Sequence, residues 1–147
     1  MKAVVQRVYS SFVTVGQTKI AEIGAGLLVL LGVADTDTRV DAEYLSQKIP
    51  LIRIFEDENG KMNRSLIDVG GEVLIVSQFT LLGDCKKGRR PSFYHAAEPE
   101  LANELYLYMA DKIRKQDVRV QTGQFAAMMD VTLVNDGPVT LILDTKE

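Results

Sequence analysis

The chain has 147 residues, of which 46% are hydrophobic and 25% charged, and its 17 basic and 20 acidic side chains give a net charge of −3. These values predict one compact domain and argue against a protein that wraps nucleic acid by neutralising its phosphates. No apolar run approaches the ~20 residues that cross a bilayer, and the start lacks a signal-peptide core, so we expect a cytoplasmic protein without a membrane partner. One cysteine, Cys85, and one histidine, His95, exclude an intramolecular disulfide and argue against a metal site.

The first half of the chain predicts strands followed by a helix. Apolar and polar side chains alternate in three short segments, which predicts strands over residues 2–8, 12–15 and 18–23. The unbroken apolar run over residues 27–33 is typical of a strand covered on both faces, at the centre of the fold. After Asp35, hydrophobic side chains recur at helical spacing until Pro50, which predicts the first helix.

The second half predicts a similar mixture of elements. Residues 51–55 and 73–76 have strand character, and the dipeptides at 59–60 and 70–71 predict turns around a short irregular segment. Residues 98–115 predict a second helix, with acidic side chains in its first turn and basic ones in its last. Three strands, over residues 118–121, 128–135 and 139–143, complete the chain.

The first candidate site follows the second interior strand, where polar side chains arrive as the strand ends. Ser77, Gln78, Phe79 and Thr80 place hydroxyls and backbone N–H groups at that point. Such N–H groups stabilise a developing negative oxygen without any titratable side chain. A second interpretation is that these residues only terminate a strand.

The second candidate is the segment of residues 135–140, with the sequence NDGPVT. It is typical of a hairpin turn between two strands. Alternatively, Gly137 adopts a conformation open mainly to glycine and Pro138 is cis, so that two carbonyls project rigidly into a pocket.

The third candidate is a turn-rich loop with four cations, Lys86, Lys87, Arg89 and Arg90, followed by Phe93 and Tyr94. Charge and stacking of this kind suit a single-stranded nucleic-acid end. The alternative is a solvated surface loop.

Four motifs, in order along essentially the whole chain, resemble those of the D-aminoacyl-tRNA deacylase family, also described as D-tyrosyl-tRNA deacylases. They are MKAVVQRV at residues 1–8, SQFTL at 77–81, GRRPSF at 88–93 and NDGPVT at 135–140. The resemblance implies a mixed α/β single domain over residues 1–147, a barrel-like pair of mixed β-sheets with two helices packed outside. It further implies a homodimer with active sites at the interface, each built around residues 77–80 of one subunit and completed by a cis Gly137-Pro138 bond of the other.

The implied reaction is hydrolysis of the ester that joins a D-amino acid, or mischarged glycine, to the 3′-terminal adenosine of tRNA. We expect no cofactor, because backbone N–H groups around Gln78 and Phe79 hold the oxyanion and the ribose 2′-hydroxyl positions the attacking water. Thr80 is either a positioning group or a nucleophile. Carbonyls of Gly137 and Pro138 occupy the space that an L side chain needs. Phe125 and Met129 line an adenosine pocket or simply belong to the core.

Two other functions remain open at the level of sequence. One is a general esterase in which Ser77 or Thr80 works with His95 as the base. The other is a dimeric RNA-binding module without hydrolytic activity, in which residues 86–90 make the contact.

Overall fold

A mixed β-sheet of six strands makes up most of the computed structural model, which describes residues 1–147. The strands are β1 (Lys2–Val15), β2 (Thr18–Ile23), β3 (Gly26–Gly32), β6 (Glu72–Ser77), β7 (Val120–Thr122) and β8 (Asp130–Asp144), with β4 (Phe55–Glu56) and β5 (Met62–Arg64) forming a separate hairpin. The helices are α1 (Arg39–Lys48), α2 (Leu66–Val69) and α3 (Pro99–Arg114), and two 3₁₀ helices cover Ile49–Leu51 and Phe79–Leu82. No helix combines the length and the apolar character that crossing a bilayer requires.

The long first strand organises the sheet. Its first half pairs antiparallel with β3 and its second half with β2, while β8 runs antiparallel along its other side. β3, β6 and β7 follow in parallel. Register shifts between Gln6 and Ser10 interrupt the regular pairing of β1 with β8, and β2 contacts β6 and β7. The sheet is therefore a nearly closed, barrel-like structure.

Two apolar clusters fill the two sides of the central strands. The larger one lies between the sheet and helices α1 and α3, and it buries Leu27, Val29 and Leu31 of β3 completely. The smaller one lies on the opposite side of the sheet, where Leu28 of β3 meets buried residues of β1, β2 and β6. β3 is thus covered on both faces, as its unbroken apolar run predicts.

The predicted mixed α/β class, the barrel-like arrangement and the two outer helices are confirmed, but one six-stranded sheet with a separate two-stranded hairpin stands where a pair of sheets is predicted. The structure adds a third helix, α2, of a single turn, in a segment for which the sequence predicts no helix. A capping box at its N-terminus explains why so short a helix forms: the Ser65 hydroxyl accepts from the Asp68 N–H at 3.2 Å, and the Asp68 carboxylate accepts from the Ser65 N–H at 2.8 Å.

Three strand predictions are corrected. The strand expected over residues 51–55 is replaced by the 3₁₀ helix Ile49–Leu51, and only Phe55–Glu56 pairs as a strand. The separate strands expected at 2–8 and 12–15 are one strand, β1. Those expected at 128–135 and 139–143 are also one, β8, so residues 136–138 form no hairpin turn. In both cases the mutual pairing of β1 and β8 absorbs the irregular residues as a bulge.

Candidate active site

The end of β6 lies at the centre of the site. Ser77 pairs with Leu31 of β3, and the backbone N–H of Gln78 donates to the Leu31 carbonyl at 2.8 Å. The chain then turns into the 3₁₀ helix Phe79–Leu82, which packs against Gly32. A Cβ at Gly32 would lie 2.6 Å from Leu82 Cδ2 and 3.1 Å from the Gln78 carbonyl oxygen. The close approach of these two segments therefore requires glycine at residue 32.

Two adjacent backbone N–H groups at this corner are free. Those of Phe79 and Thr80 donate to no acceptor within the protein, as is usual for the first N–H groups of a helix. The Gln78 N–H, which the sequence interpretation counted among the oxyanion donors, is instead used in the sheet. The pair of free donors is thus Phe79 and Thr80. Such a pair can stabilise a negative oxygen.

The hydroxyl groups of the corner have no base beside them. Thr80 Oγ1 accepts a hydrogen bond from Gln78 Nε2, and neither Ser77 nor Thr80 is hydrogen-bonded to a carboxylate or an imidazole. His95 is exposed, and its Nδ1 lies 4.0 Å from the Asp35 carboxylate. The structure therefore shows no arrangement in which His95 activates either hydroxyl.

The basic loop is closed at its base and open at its tip. Asp84 and Ser92 exchange two backbone hydrogen bonds, of 2.8 and 2.9 Å. Between them, all four predicted cations are exposed and none forms an ion pair, whereas most other cations of the chain have a carboxylate partner. The four are Lys86, Lys87, Arg89 and Arg90. Their charge is therefore available to an external anion.

The Gly137-Pro138 segment lies within β8, and its peptide bond is cis. Gly137 has φ +133°, a conformation that L side chains rarely adopt. Just before it, the Asn135 side-chain oxygen accepts from the Val139 N–H at 2.8 Å. The segment is therefore braced from its own strand.

A buried arginine braces the same segment from β1. Arg7, only 4% exposed, donates through Nη1 to the Ile54 carbonyl at 2.5 Å and through Nε to the Asp136 carbonyl at 3.2 Å. Its Nε also lies 3.2 Å from the Asp136 carboxylate. The sequence analysis missed Arg7, although its position continues the inward-facing alternation of Ala3 and Val5.

The fold of a single chain does not bring the Gly137-Pro138 segment to the corner at Ser77. Ser77 lies beside Leu31, and Leu31 lies beside Ala3, whereas residues 137–138 lie opposite residue 7 of β1. Four residues along a strand are about 13 Å, and three strand spacings add about 14 Å across the sheet. The two candidate sites are therefore separate within a single chain.

Phe125 and Met129 both pack near the end of β6. Phe125 is half-buried, with its ring 6.1 Å from that of Tyr106, whose hydroxyl donates to the Ile75 carbonyl at 3.1 Å. Burial raises the pKa of Tyr106 to about 12, so this hydroxyl remains a donor. Met129 packs against Gly123 and the smaller cluster. These contacts are those of core residues, and a role toward adenosine stays a prediction. No group of three or more His, Cys, Asp or Glu side chains could hold a metal ion.

Comparison with known proteins identifies the family of the chain. A family model described as D-Tyr-tRNA(Tyr) deacylase matches residues 4–144. The D-aminoacyl-tRNA deacylase of Clostridioides difficile (strain 630) is 60% identical, over 100% of this chain and 99% of its own length. That of Thermus aquaticus is 58% identical, over 100% and 97%. A solved structure described as the c-Myc DNA Unwinding Element Binding Protein superimposes with a TM-score of 0.92 at 43% identity, over 99% of each chain. By sequence and by fold, the chain belongs to the D-Tyr-tRNA(Tyr) deacylase family of ester-bond hydrolases.

Proposed function

We propose that this protein hydrolyses the ester of D-aminoacyl-tRNA, and of glycine mischarged on tRNA, to release the amino acid and the free tRNA. The observation that carries the proposal is the pair of free N–H groups of Phe79 and Thr80 at the end of an interior strand. Family membership supplies the substrate class. The substrate makes the cytoplasm, where tRNA is charged, the expected location.

In the proposed reaction, water attacks the ester carbonyl carbon, and the carbonyl oxygen becomes negative. The N–H groups of Phe79 and Thr80 donate to that oxygen, and losing one such donor costs on the order of 3 kcal/mol of transition-state stabilisation. The bond to the ribose 3′-oxygen then breaks, and this oxygen takes the proton that the attacking water gives up, which regenerates the tRNA hydroxyl. The substrate's 2′-hydroxyl positions the water, because the corner contains no side-chain base. Thr80 Oγ1, which accepts from Gln78, is a positioning group.

Selection between mirror images requires shape, because two enantiomers have the same hydrophobicity. Backbone carbonyls at Gly137 and Pro138, held by Arg7 and Asn135, would occupy the space of an L side chain. The main chain cannot rotate away as a side chain can, so it excludes the side chain of an L-amino acid strongly. Glycine and D-amino acids place only hydrogen at that point and are accepted.

A homodimer would bring these carbonyls to the corner of the neighbouring subunit. Two features support it. Ile142 is 75% exposed on the sheet face that helices leave uncovered, with half-buried Val4 opposite it and half-buried Leu30 paired to Val4. β8 also pairs only with β1, which leaves the other edge of a 15-residue strand open. Exposed apolar surface and a long open edge are typical of an interface.

The rest of the substrate has two proposed contacts. The four unpaired cations of residues 86–90 suit the phosphates of the tRNA acceptor end. Phe125 and Met129, near the end of β6, line the adenosine site. Neither contact determines which bond is broken, so the proposed reaction depends on the oxyanion donors rather than on these two contacts.

The decisive experiment measures ester loss from tRNA charged with the D- and the L-form of one amino acid, above the spontaneous rate. We expect fast loss from the D-form only. Equal rates would refute the chirality argument, and retention of tRNA without ester loss would indicate an RNA-binding module. His95→Ala should leave turnover unchanged, whereas an esterase that uses His95 would lose it.

A substitution can test the backbone donor itself. Phe79→Pro removes the N–H at the first position of a helix, where proline is tolerated, and Gln78 before it has the non-helical φ −141° and ψ 79°. Phe79→Ala is the matched control, because it removes the same ring and keeps the N–H. We expect kcat of Phe79→Pro to be about 100-fold below that of Phe79→Ala. Equal kcat values would exclude this N–H as an oxyanion donor.

A further inference from the structure

The aromatic residue that follows the basic loop packs on the proposed catalytic corner. The rings of Phe93 and Phe79 are edge to face, with centroids 5.1 Å apart and planes at 71°. Phe93 also lies against the backbone of Gly83, where a Cβ would come within 3.0 Å of its Cε1 atom. Phe79 is 55% exposed, and Phe93 is the aromatic ring that packs against it.

The chain on both sides of Phe93 is fixed to the rest of the molecule. Ser92 is bonded to Asp84 on one side, and the Phe93 carbonyl accepts from the Ala96 N–H at 3.0 Å. Farther along, the His95 carbonyl accepts from the Asp35 N–H at 3.0 Å. Phe93 therefore projects from an anchored segment rather than from the open tip of the loop.

We propose that Phe93 is a positioning residue, which holds the Phe79 ring and thereby aims the Phe79 and Thr80 N–H groups. The inference rests on the proposed function. It gives two parts of this segment separate roles. The cations of residues 86–90 bind the substrate, and Phe93 keeps the oxyanion donors in place. Edge-to-face aromatic pairs have the directional preference that such a task needs.

The proposal predicts which kinetic constant changes. Phe93→Leu should lower kcat about tenfold or more with little change in KM, because a small displacement of a catalytic donor costs rate rather than binding. Phe93→Tyr, which keeps the ring, should restore kcat. A rise in KM at constant kcat would instead mean that Phe93 stacks on the nucleic acid. Tyr44→Leu, which alters a half-exposed aromatic side chain on α1, is the matched control and should change neither constant.

A double-mutant cycle shows whether Phe93 acts through Phe79. If it does, Phe79→Leu combined with Phe93→Leu should lower kcat no further than the more harmful single change. Multiplied effects would overturn the proposal.

A measurement without substrate separates this proposal from the proposed function. Backbone ¹⁵N order parameters of Phe79 and Thr80 should fall in Phe93→Leu and remain at wild-type values in Phe93→Tyr and Tyr44→Leu. If the wild-type protein had no deacylase activity, the proposed function would be refuted. The order parameters would still show whether Phe93 restrains the backbone of Phe79 and Thr80. Unchanged order parameters in Phe93→Leu would refute it.

Discussion

At the scale of single residues, Arg7 is the side chain on which the Gly137-Pro138 segment depends. A buried guanidinium that donates to two backbone carbonyls and faces a carboxylate uses its planar, forked shape as well as its charge. Asp136, its partner, immediately precedes Gly137. The position of the segment is therefore set from the neighbouring strand as well as from β8.

Arg7→Lys should lower discrimination between enantiomers more than it lowers turnover. The ammonium keeps the charge, but it cannot reach the Ile54 and Asp136 carbonyls together, so the segment gains freedom. We expect the ratio of D- to L-ester hydrolysis to fall about tenfold or more, measured with both enantiomers of one aminoacyl-tRNA. A ratio equal to that of the wild type would show that Arg7 does not hold the Gly137-Pro138 segment in place.

Gly32→Ala should impair catalysis because it displaces the backbone of the 3₁₀ helix Phe79–Leu82. The added Cβ would lie 2.6 Å from Leu82 and 3.1 Å from the Gln78 carbonyl oxygen, so the 3₁₀ helix must shift. Such overpacking costs about 1–3 kcal/mol of unfolding free energy, and we expect kcat to fall as well. Gly24→Ala is the control, because its nearest contact would be 3.6 Å away. Urea denaturation measures the unfolding free energy of both variants, and single-turnover experiments measure their rates. Equal unfolding free energies and equal rates for the two variants would contradict the expectation.

At the scale of elements, the start of α1 links two distant parts of the chain. The Asp41 carboxylate accepts from the Thr38 N–H at 2.8 Å, from Thr145 Oγ1 at 2.7 Å and from Lys146 Nζ at 3.0 Å. Burial opposes its ionisation, but these donors outweigh burial and hold the pKa of Asp41 well below its ordinary 3.8. The last residues after β8 are thereby fastened to the helix.

Asp41→Asn should therefore change how stability depends on pH. Because the pKa of Asp41 is lowered by folding, its stabilising effect is complete above about pH 3.8 and is lost as the pH falls further. At pH 6 we expect the variant to melt a few °C below the wild type. The difference in melting temperature between the variant and the wild type, measured by circular dichroism, should narrow between pH 4 and pH 2. A constant difference over that range would contradict the assignment.

The basic loop predicts an effect of salt on substrate capture. Replacing Lys86, Lys87, Arg89 and Arg90 by Gln should raise KM for aminoacyl-tRNA, leave kcat unchanged and reduce the slope of log affinity against log salt by up to about 3. The matched control replaces four exposed lysines outside the loop, namely Lys19, Lys48, Lys61 and Lys115. Equal slopes for the two quadruple variants would show that the loop is not a specific contact.

At the scale of the whole molecule, the two candidate sites are separate within one chain, so the proposed function predicts that activity depends on the association of two chains. Ile142→Glu places a charge on the exposed apolar face, so we expect monomers and loss of deacylation together. Val40→Glu is the control, since Val40 is equally exposed, at 74%, but lies on α1. Light scattering and turnover, measured on the same samples, test the link. Monomers that retain full activity would refute a shared site.

The sequence by itself determined the elements whose signals are local. The apolar run over residues 27–33 predicts burial on both faces, and the apolar spacing of the segment that forms α3 predicts a helix. The motifs at residues 77–81 and 135–140 likewise indicated the family from residue order alone. These predictions succeeded because each depends on side chains within a few residues of one another.

Only the tertiary structure decided what depends on partners distant in the chain. Residues 136–138 have the composition of a turn, yet pairing with β1 keeps them inside one strand. The Gln78 N–H donates to the Leu31 carbonyl and is therefore not a free donor, and the Phe93 ring packs against that of Phe79 because the loop between them is closed. A hydrogen bond or a ring contact between residues far apart leaves no periodic pattern in either segment, so the sequence could name these residues but not assign their contacts.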